Sequence, residues 1–178
     1  LETLKAMKKQ LNIPLFFSGK RAKDIEEVID DCKQFVQQGA EVIFIDCLQL
    51  LAWHEKVDTV EFDKEESSYQ ALNITKPLFD FAFENNVALV TTSQVSTCAE
   101  TRGGPKRPEI HDMKWSHYLE DIADTVLLIY RPEYYGFTED EEGNSTEGIA
   151  ELIVAKNRCG RRGTCLVKFD SQTGWFYE

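Results

Sequence analysis

Three short apolar runs, each followed by polar residues, constrain the fold of this chain more than any other feature. They are VIFI at 42–45, VALV at 87–90 and TVLLIY at 125–130. Strands that are apolar at nearly every position are buried on both faces, as in parallel sheets covered by helices. Because the runs alternate with amphipathic segments, the sequence predicts an α/β fold with a mostly parallel sheet flanked by helices.

The segments between and after these strands follow recognisable patterns. Helical spacing of apolar residues predicts a helix over 25–36, with Asp24 as its N-cap and Gly39 after its end. The same spacing predicts a long helix over 65–84, whose last part Pro77 should start or kink. The remaining predicted elements are a helix near 1–11, a strand at 15–19, loops at 52–64 and 101–108, and three closely spaced strands at 148–158, 164–170 and 175–177. These last strands indicate an antiparallel C-terminal extension.

Length and composition are those of an ordinary globular domain. The chain has 178 residues, of which 42% are hydrophobic and 11% aromatic, enough for one domain with a sizeable core. No apolar run reaches the roughly 18 residues that cross a membrane, so no membrane partner is expected. The chain begins at Leu1 inside a helical pattern, without a signal peptide. We therefore expect it to be a fragment of a longer protein.

Charge and cysteine usage exclude some further classes of function. The formal net charge of −11 argues against broad nonspecific binding of nucleic acid, although a local basic patch remains open. Part of the acid lies in TEDEEGNSTE at 138–147, which we expect to be a solvated loop. The five cysteines form no CxxC pair, so neither a zinc site nor a disulfide framework is expected. Scattered thiols of this kind are typical of the reducing cytoplasm.

Polar side chains follow the predicted strands where ligands of parallel sheets bind. Asp46, Gln94 and Arg131 follow the three apolar runs, and Lys156 and Arg158 end a fourth strand. A carboxylate, an amide and several cations at one rim suit a nucleoside triphosphate with Mg²⁺. That ion prefers one or two carboxylates, water and phosphate oxygens.

Each of these residues alone also has an ordinary structural explanation. Asp46 fits a capping or loop aspartate, and Gln94 fits a solvated loop residue. Arg131 fits an ion-pair partner, while Lys156 and Arg158 fit the solvated edge of a sheet. Taken singly, the residues leave both explanations open, and only their combination favours a nucleotide site.

Four blocks of sequence carry a resemblance to a known family. They are IDCLQLL, TTSQVS, KRPEIHDM with LEDIADTVLLIYRPEYYG, and AELIVAKNRCGRRGT. In this order they resemble the C-terminal RecA-like motor domain of bacterial replicative DNA helicases of the DnaB type, from about Ile13 to the end of the chain. The resemblance implies a RecA-like P-loop NTPase core. It also implies a parent protein that hydrolyses ATP with Mg²⁺, forms a hexameric ring, moves along single-stranded DNA and works with other replication proteins.

The resemblance also implies roles for the residues at the strand ends. Asp46 matches the Walker B aspartate, which holds Mg²⁺ through water. Gln94 matches the residue that senses the γ-phosphate and relays its state toward DNA. Lys156 and Arg158 match the basic pair that reaches the neighbouring subunit's nucleotide, where an arginine stabilises charge on the transferring phosphoryl group.

Two further segments match family stretches with assigned roles. Arg131 and Tyr134 match residues near the nucleotide base. The segment 112–117 matches the loop that lines the central channel and contacts single-stranded DNA along its backbone. Its candidate DNA-contacting residues are Lys114, Trp115, Ser116 and His117.

The chain also departs from the family pattern. No GxxxxGK[ST] phosphate loop occurs in it, and SGKRAK at 18–23 lacks the upstream glycine. The resemblance implies that this loop and the catalytic glutamate lie upstream of Leu1, so we expect the N-terminal part of the core to be missing and the fragment alone to be inactive. Without a central strand, the strands at 87–94 and 125–130 lack a shared neighbour, which predicts self-association.

Two other functions stay open. A non-catalytic RecA-like module that binds DNA or regulates a helicase assembly would explain the missing phosphate loop. It would also explain the DNA segment, which reads Lys-Trp-Ser-His where the family usually carries Arg-Glu-Ser-Gly. A recombinase or circadian-clock type of RecA-like ATPase is the third candidate, and the block from 106 to 135 argues against it.

Overall fold

A computed structural model describes residues 14–18, 24–52 and 64–178. The chain divides into two compact units, Leu1–Ser93 and Gln94–Glu178. The helix predicted near 1–11 and most of the loop predicted at 52–64 lie outside the described residues. Within the described part, none of the helices is both long enough and apolar enough to span a membrane.

The first unit contains a two-stranded parallel sheet with helices. Strands β1 (Val42–Ile45) and β2 (Ala88–Thr91) pair with Val42 opposite Ala88 and Ile45 opposite Thr91. The parallel direction requires a long crossover between the strands. Helices α2 (Leu48–Ala52) and α3 (Lys64–Glu84) lie in that crossover, and α1 (Ile25–Gln37) precedes β1.

Helix α1 begins and ends where the sequence predicts. The Asp24 side chain accepts a hydrogen bond from the Glu27 amide at 2.9 Å, which caps the first turn. Gly39, with φ of +95°, follows the C-cap residue in the left-handed region that favours glycine. The long second helix is also confirmed, and Pro77 lies inside it rather than at a break.

The core of the first unit forms between α1, β1 and α3. Cys32, Ile43 and Phe81 are buried together, and partly buried residues of β1 and β2 pack against them. Burial is the main reason that the pKa of the Cys32 thiol is raised, with a further contribution from nearby Asp31. Helix therefore covers one face of the parallel sheet, whereas the sequence predicts burial of both faces, and Phe44 of β1 is 75% exposed.

The second unit is built around a four-stranded antiparallel sheet. Its strands are β3 (Thr125–Tyr130), β4 (Ile149–Asn157), β5 (Gly163–Asp170) and β6 (Trp175–Tyr177), in the order β3-β4-β5-β6. Before the sheet come α4 (Cys98–Thr101), a 3₁₀ turn (Ile110–Asp112) and α5 (Ser116–Ile122). A second 3₁₀ turn (Pro132–Tyr135) follows β3.

Two predictions about the strands need correction. The predicted mostly parallel sheet is confirmed in part, because β1 and β2 pair in parallel whereas the other three pairings of the described strands are antiparallel. Short connections after β4 and β5 impose antiparallel pairing, and β3 joins that sheet beside β4. The predicted strand at 15–19 is wrong over residues 15–18, which have no regular structure, and residue 19 lies outside the described residues. The antiparallel C-terminal extension itself is confirmed.

The acidic segment 138–147 is largely exposed, as predicted, but it is an ordered turn. Asp140 accepts hydrogen bonds from the Asn144 side chain at 2.9 Å and from the Asn144 amide at 2.7 Å. These bonds lower the pKa of Asp140. Thr146, near its end, is buried and donates to the Phe137 carbonyl at 2.6 Å.

Candidate functional site

The carboxyl ends of β1 and β2 meet at one edge of the parallel sheet. Asp46 follows β1, and the Thr92 hydroxyl, just after β2, donates a hydrogen bond to Asp46 Oδ1. The backbone fixes this meeting, since the Thr92 amide donates to the Ile45 carbonyl at 3.1 Å and the Leu48 amide to the Thr92 carbonyl at 3.1 Å. Asp46 therefore lies at the kind of strand end where ligands of parallel α/β sheets bind.

Sequence reasoning missed two side chains at this edge, Thr92 and Gln49. Gln49 is 8% exposed, and its Nε2 donates to Ser93 Oγ at 2.9 Å. Together with the Thr92–Asp46 bond, this contact ties the start of α2 to the end of β2. The sequence did contain a signal for both residues. Gln49 is the lone polar residue in CLQLL, and Thr92 belongs to the polar end of its strand.

The chemistry of this edge fits one carboxylate ligand for a hard cation. Asp46 is exposed, and Thr92 orients one of its two carboxylate oxygens. Within the described ranges, no three His, Cys, Asp or Glu side chains come together as a metal site. Mg²⁺ does not need such a group, because it usually keeps several waters and binds one or two carboxylates plus substrate phosphates.

A cavity of about 750 Å³ in the first unit lies beside the same strand. Its lining includes Asp46, but most of the lining comes from apolar residues of 14–18, α1 and β1. The rings of Phe16 and Phe35, both in the lining, stack with centroids 5.8 Å apart. Since such walls offer few donors to phosphate oxygens, we do not assign a nucleotide to this cavity.

In the second unit, Gln94 lies directly against the predicted DNA segment. Val95 and Met113 form an antiparallel bridge, and the Lys114 amide donates to the Gln94 carbonyl at 2.9 Å. The Lys114 ammonium also donates to Gln94 Oε1 at 2.8 Å. The structure thus brings together two residues for which the family resemblance implies different roles.

A buried carboxylate at the start of the same segment anchors it to the preceding loop. The Asp112 side chain is 3% exposed and accepts from Arg102 Nη2 at 2.5 Å and from the Glu109 amide at 2.7 Å. The Arg102 guanidinium also pairs with the Glu109 carboxylate at 3.3 Å. Sequence reasoning missed this network, although an Arg and an Asp flanking a Gly- and Pro-rich loop were visible.

The four candidate DNA-contacting residues surround the start of α5. Trp115 adopts the left-handed conformation, with φ of 62°, and is the N-cap residue of the helix. Lys114 and His117 are exposed, while Trp115 and Ser116 are half-buried. The segment is therefore a turn entering a short helix.

Lys156 and Arg158 both contact the other end of α5. The Lys156 ammonium donates to the Glu120 carbonyl, and Arg158 Nη2 donates to the Asp121 carbonyl at 2.9 Å. Arg158 Nη1 also pairs with the Asp124 carboxylate at 2.8 Å. Lys156 lies on β4 and Arg158 directly follows it, and both side chains contact α5. These contacts agree with the expectation that the two cations point to one face.

Arg131 and Tyr134 differ in how firmly they are held. The Arg131 guanidinium lies over the Phe169 ring, 3.8 Å from its centroid, in a cation–π arrangement. Tyr134 is 69% exposed and meets the Tyr135 ring edge-on. Beside them, burial raises the pKa of Tyr130, whose hydroxyl donates to a backbone carbonyl.

The predicted site residues divide between the two units. Asp46 belongs to the first unit. The second unit holds Gln94, the DNA segment, Arg131, Tyr134, Lys156 and Arg158. Within the second unit, α5 and the turn before it connect four of these residues: Gln94, Lys114, Lys156 and Arg158.

Comparison with known proteins gives one consistent family. The model of the DnaB-like helicase C terminal domain matches residues 2–178. A probable plasmid replicative DNA helicase of Chlamydia psittaci is 32% identical over 162 residues, which are 90% of this chain and 32% of that protein. A probable replicative DNA helicase of Trieres chinensis is 32% identical over 181 residues, covering 100% of this chain and 38% of that protein. The chain thus spans about a third of the length of these relatives.

Solved structures agree with this match. The structure of a DnaB-like replicative helicase and its interactions with primase superposes with a TM-score of 0.76 at 26% identity, over 98% of this chain and 39% of that one. A second solved structure, that of an ATPase domain, gives a TM-score of 0.66 at 27% identity, over 87% of this chain and 51% of that one.

Proposed function

The chain belongs to the family of DnaB-like helicase C-terminal domains, and from this membership we propose that it is part of the motor of a replicative DNA helicase. The protein that carries it would couple hydrolysis of ATP with Mg²⁺ to movement along single-stranded DNA and to unwinding of the duplex. The observation that carries the proposal is the family match over residues 2–178. The meeting of two parallel strand ends at Asp46 and Thr92 supports it.

Asp46 is the proposed Mg²⁺ ligand. An exposed carboxylate with one oxygen oriented by Thr92 is suited to bind a hydrated cation through water. When bound, Mg²⁺ would supply positive charge beside the nucleotide phosphates. The contribution of the chain is to hold one carboxylate at the strand end in a fixed orientation.

Gln94 is the proposed sensor of the γ-phosphate. Its side chain and backbone both contact Lys114, in the segment proposed to touch DNA. A change in the position of Gln94 would therefore move Lys114 directly. This supports a relay between nucleotide and DNA.

Lys114, Trp115, Ser116 and His117 are the proposed contacts to single-stranded DNA. The exposed Lys114 ammonium and the indole of Trp115 offer a cation for phosphate and a ring for stacking on a base. With a chain net charge of −11, binding would depend on this local site and fall as salt rises.

Lys156 and Arg158 are the proposed groups that act on the nucleotide of a neighbouring subunit in a hexameric ring. Arg131 and Tyr134 are the proposed neighbours of the base, and the exposed ring of Tyr134 supports that role. Other replication proteins are proposed partners, since one solved relative was studied with primase. Because the 178 residues contain no GxxxxGK[ST] run, we propose that the chain alone is inactive and serves as part of one RecA-like motor domain.

Hydrolysis and DNA binding by the complete polypeptide that contains the chain test this proposal. Asp46→Asn should lower the ATP hydrolysis rate by roughly 100-fold or more, because metal charge stabilisation contributes several kcal/mol, while binding of single-stranded oligothymidylate without nucleotide persists. Asp30→Asn is the matched control, since Asp30 is an exposed aspartate of the same unit that pairs only with Lys33 in the described part.

The competing function is a non-catalytic DNA-binding or regulatory module, which would explain why these 178 residues contain no GxxxxGK[ST] run. A wild-type protein that binds oligothymidylate but does not hydrolyse ATP would support that module and refute the motor. Equal hydrolysis by wild type and Asp46→Asn would refute the proposed role of Asp46.

A further inference from the structure

Helix α5 has functional groups of two different kinds at its two ends. Trp115 is the N-cap residue, and the Leu119 amide donates to its carbonyl at 3.1 Å. At the other end, the cations of Lys156 and Arg158 contact carbonyls of Glu120 and Asp121. At seven residues the helix is about 10 Å long. The two sets of groups are thus joined by about two turns of hydrogen-bonded helix.

The contacts at the C-terminal end follow from helix physics. The last four carbonyls of a helix have no partner inside it, and that end carries a partial negative charge that attracts cations. Lys156 of β4 and Arg158, directly after that strand, supply donors to two of these carbonyls, at Glu120 and Asp121. The two cations are thus placed by the helix end as well as by their own strand.

Asp124 fixes the Arg158 guanidinium more specifically. The carboxylate pairs with Arg158 Nη1 at 2.8 Å, and the Arg158 amide donates to the Asp124 carbonyl at 2.8 Å. Contacts with described residues thus use two of the five N–H donors of the guanidinium. The Arg158 side chain is 50% exposed, so it can be oriented by Asp124 and still donate to a phosphate.

We propose that α5 couples the DNA segment 112–117 to the basic pair of Lys156 and Arg158, and that Asp124 is the positioning residue that orients Arg158 at the helix end. This inference rests on the proposed function, because it takes the DNA contact and the nucleotide contact from there. DNA bound at the start of α5 shifts the helix, and the shift reaches Arg158 through the Asp121 carbonyl and the Asp124 carboxylate. Asp124 itself touches neither DNA nor nucleotide.

The test compares Asp124→Asn with Glu120→Gln in the complete polypeptide that contains the chain. Both changes remove one negative charge at the same helix end. Glu120 contributes its backbone carbonyl to the contact with Lys156, and no side-chain contact of Glu120 is seen in the described part. ATP hydrolysis is measured with and without oligothymidylate, and oligothymidylate affinity is measured with and without a non-hydrolysable ATP analogue.

Asp124→Asn should lower the DNA-stimulated hydrolysis rate by roughly two- to fivefold, which is the factor by which one exposed ion pair typically shifts an equilibrium between two conformations. The KM for ATP and the DNA affinity without nucleotide should stay unchanged. The effect of the analogue on DNA affinity should also shrink, and by reciprocity the effect of DNA on analogue affinity should shrink by the same factor. Glu120→Gln should behave as wild type.

Several results would overturn the inference. Full DNA stimulation in Asp124→Asn would show that the ion pair does not position Arg158. Equal losses in both variants would indicate a general charge effect at this surface. A change in KM or a lowered melting temperature would indicate a structural role. A wild type that neither hydrolyses ATP nor binds DNA would refute the proposed function and this inference with it, whereas an active wild type with an unaffected Asp124→Asn would refute the inference alone.

Discussion

Replacing Asp112 with asparagine should loosen the proposed DNA segment. The Asp112 side chain is 3% exposed and accepts from Arg102 Nη2 at 2.5 Å and from the Glu109 amide at 2.7 Å. Asparagine has the same shape and keeps an acceptor for the Glu109 amide, but it loses the charge that pairs with Arg102. The Asp112 carbonyl also accepts from the Ser96 amide at 2.7 Å. This bond lies next to the antiparallel bridge between Val95 and Met113, which Lys114 directly follows.

The magnitude follows from burial and charge. Breaking a fully buried ion pair costs about 3–5 kcal/mol, but the Arg102 side chain is 34% exposed and water replaces part of the interaction. A hydrogen bond to a charged group contributes about 1.5–3 kcal/mol, and we take this range for Asp112→Asn. The protection of the Lys114 and Ser116 amides against hydrogen exchange should fall by about 10- to 100-fold, if both are exposed by local opening of the segment.

Hydrogen exchange of the complete polypeptide, read at the Lys114 and Ser116 amides, is the assay. Asp121→Asn is the matched control, since Asp121 is exposed and its described contact uses only the backbone carbonyl. Amides of β4 report whether the unit as a whole is intact. Unchanged protection in Asp112→Asn, or an equal loss in β4, would refute the view that this carboxylate holds the segment locally.

Three further predictions follow from single contacts. Arg158→Ala should lower the rate of ATP hydrolysis by roughly 1,000-fold if this residue acts in trans on a neighbouring subunit. Nucleotide affinity, measured by equilibrium titration, should stay nearly unchanged. Surviving hydrolysis would exclude the role in trans. Thr92→Val removes the donor to Asp46. It should raise the Mg²⁺ concentration for half-maximal hydrolysis about 2- to 10-fold, because the net free energy of one hydrogen bond corresponds to a factor of this size in affinity. The pKa of Cys32 is raised in the fold by burial and by Asp31, so its neutral thiol stabilises the protein fully below the unfolded pKa. That stabilisation is lost as pH rises through the folded pKa, and the free energy of unfolding should fall less steeply in alkali for Cys32→Ala than for wild type.

Much of the fold follows from local pattern alone. Helix α1 and its cap, the long helix α3, and the strands β1 and β3 all lie where apolar periodicity and capping residues predict them. Pairing could not be predicted as well, because an apolar run such as TVLLIY fits the centre of a parallel sheet and the edge of an antiparallel one equally. Its hydrophobicity reports burial of one face, with Val126, Leu128 and Tyr130 buried, and says nothing about strand direction.

The candidate site shows a similar division. Residue types and family motifs identify Gln94, Lys114 and Arg158 as candidates one at a time. Their connection through α5 was not predictable, because it depends on backbone carbonyls and on Asp124, which no local pattern distinguishes from other surface aspartates. Asp112 was missed for a related reason: only its depth of burial separates it from an ordinary loop carboxylate.

The pairing of the strands leads to a last prediction, for the 178-residue chain studied alone. In the described sheet β3 has β4 as its one strand neighbour, and Leu127 and Ile129 on it are 59% and 57% exposed. A strand edge with exposed apolar side chains pairs readily with another chain, so the chain should self-associate with rising concentration. Ile129→Lys should weaken that association, because a charge on an edge strand blocks pairing. Phe83→Lys is the control, since Phe83 is 80% exposed on the helix α3 and offers no strand edge. Sedimentation velocity measures the outcome, and a wild-type chain that stays monomeric at all concentrations and melts cooperatively would contradict the prediction.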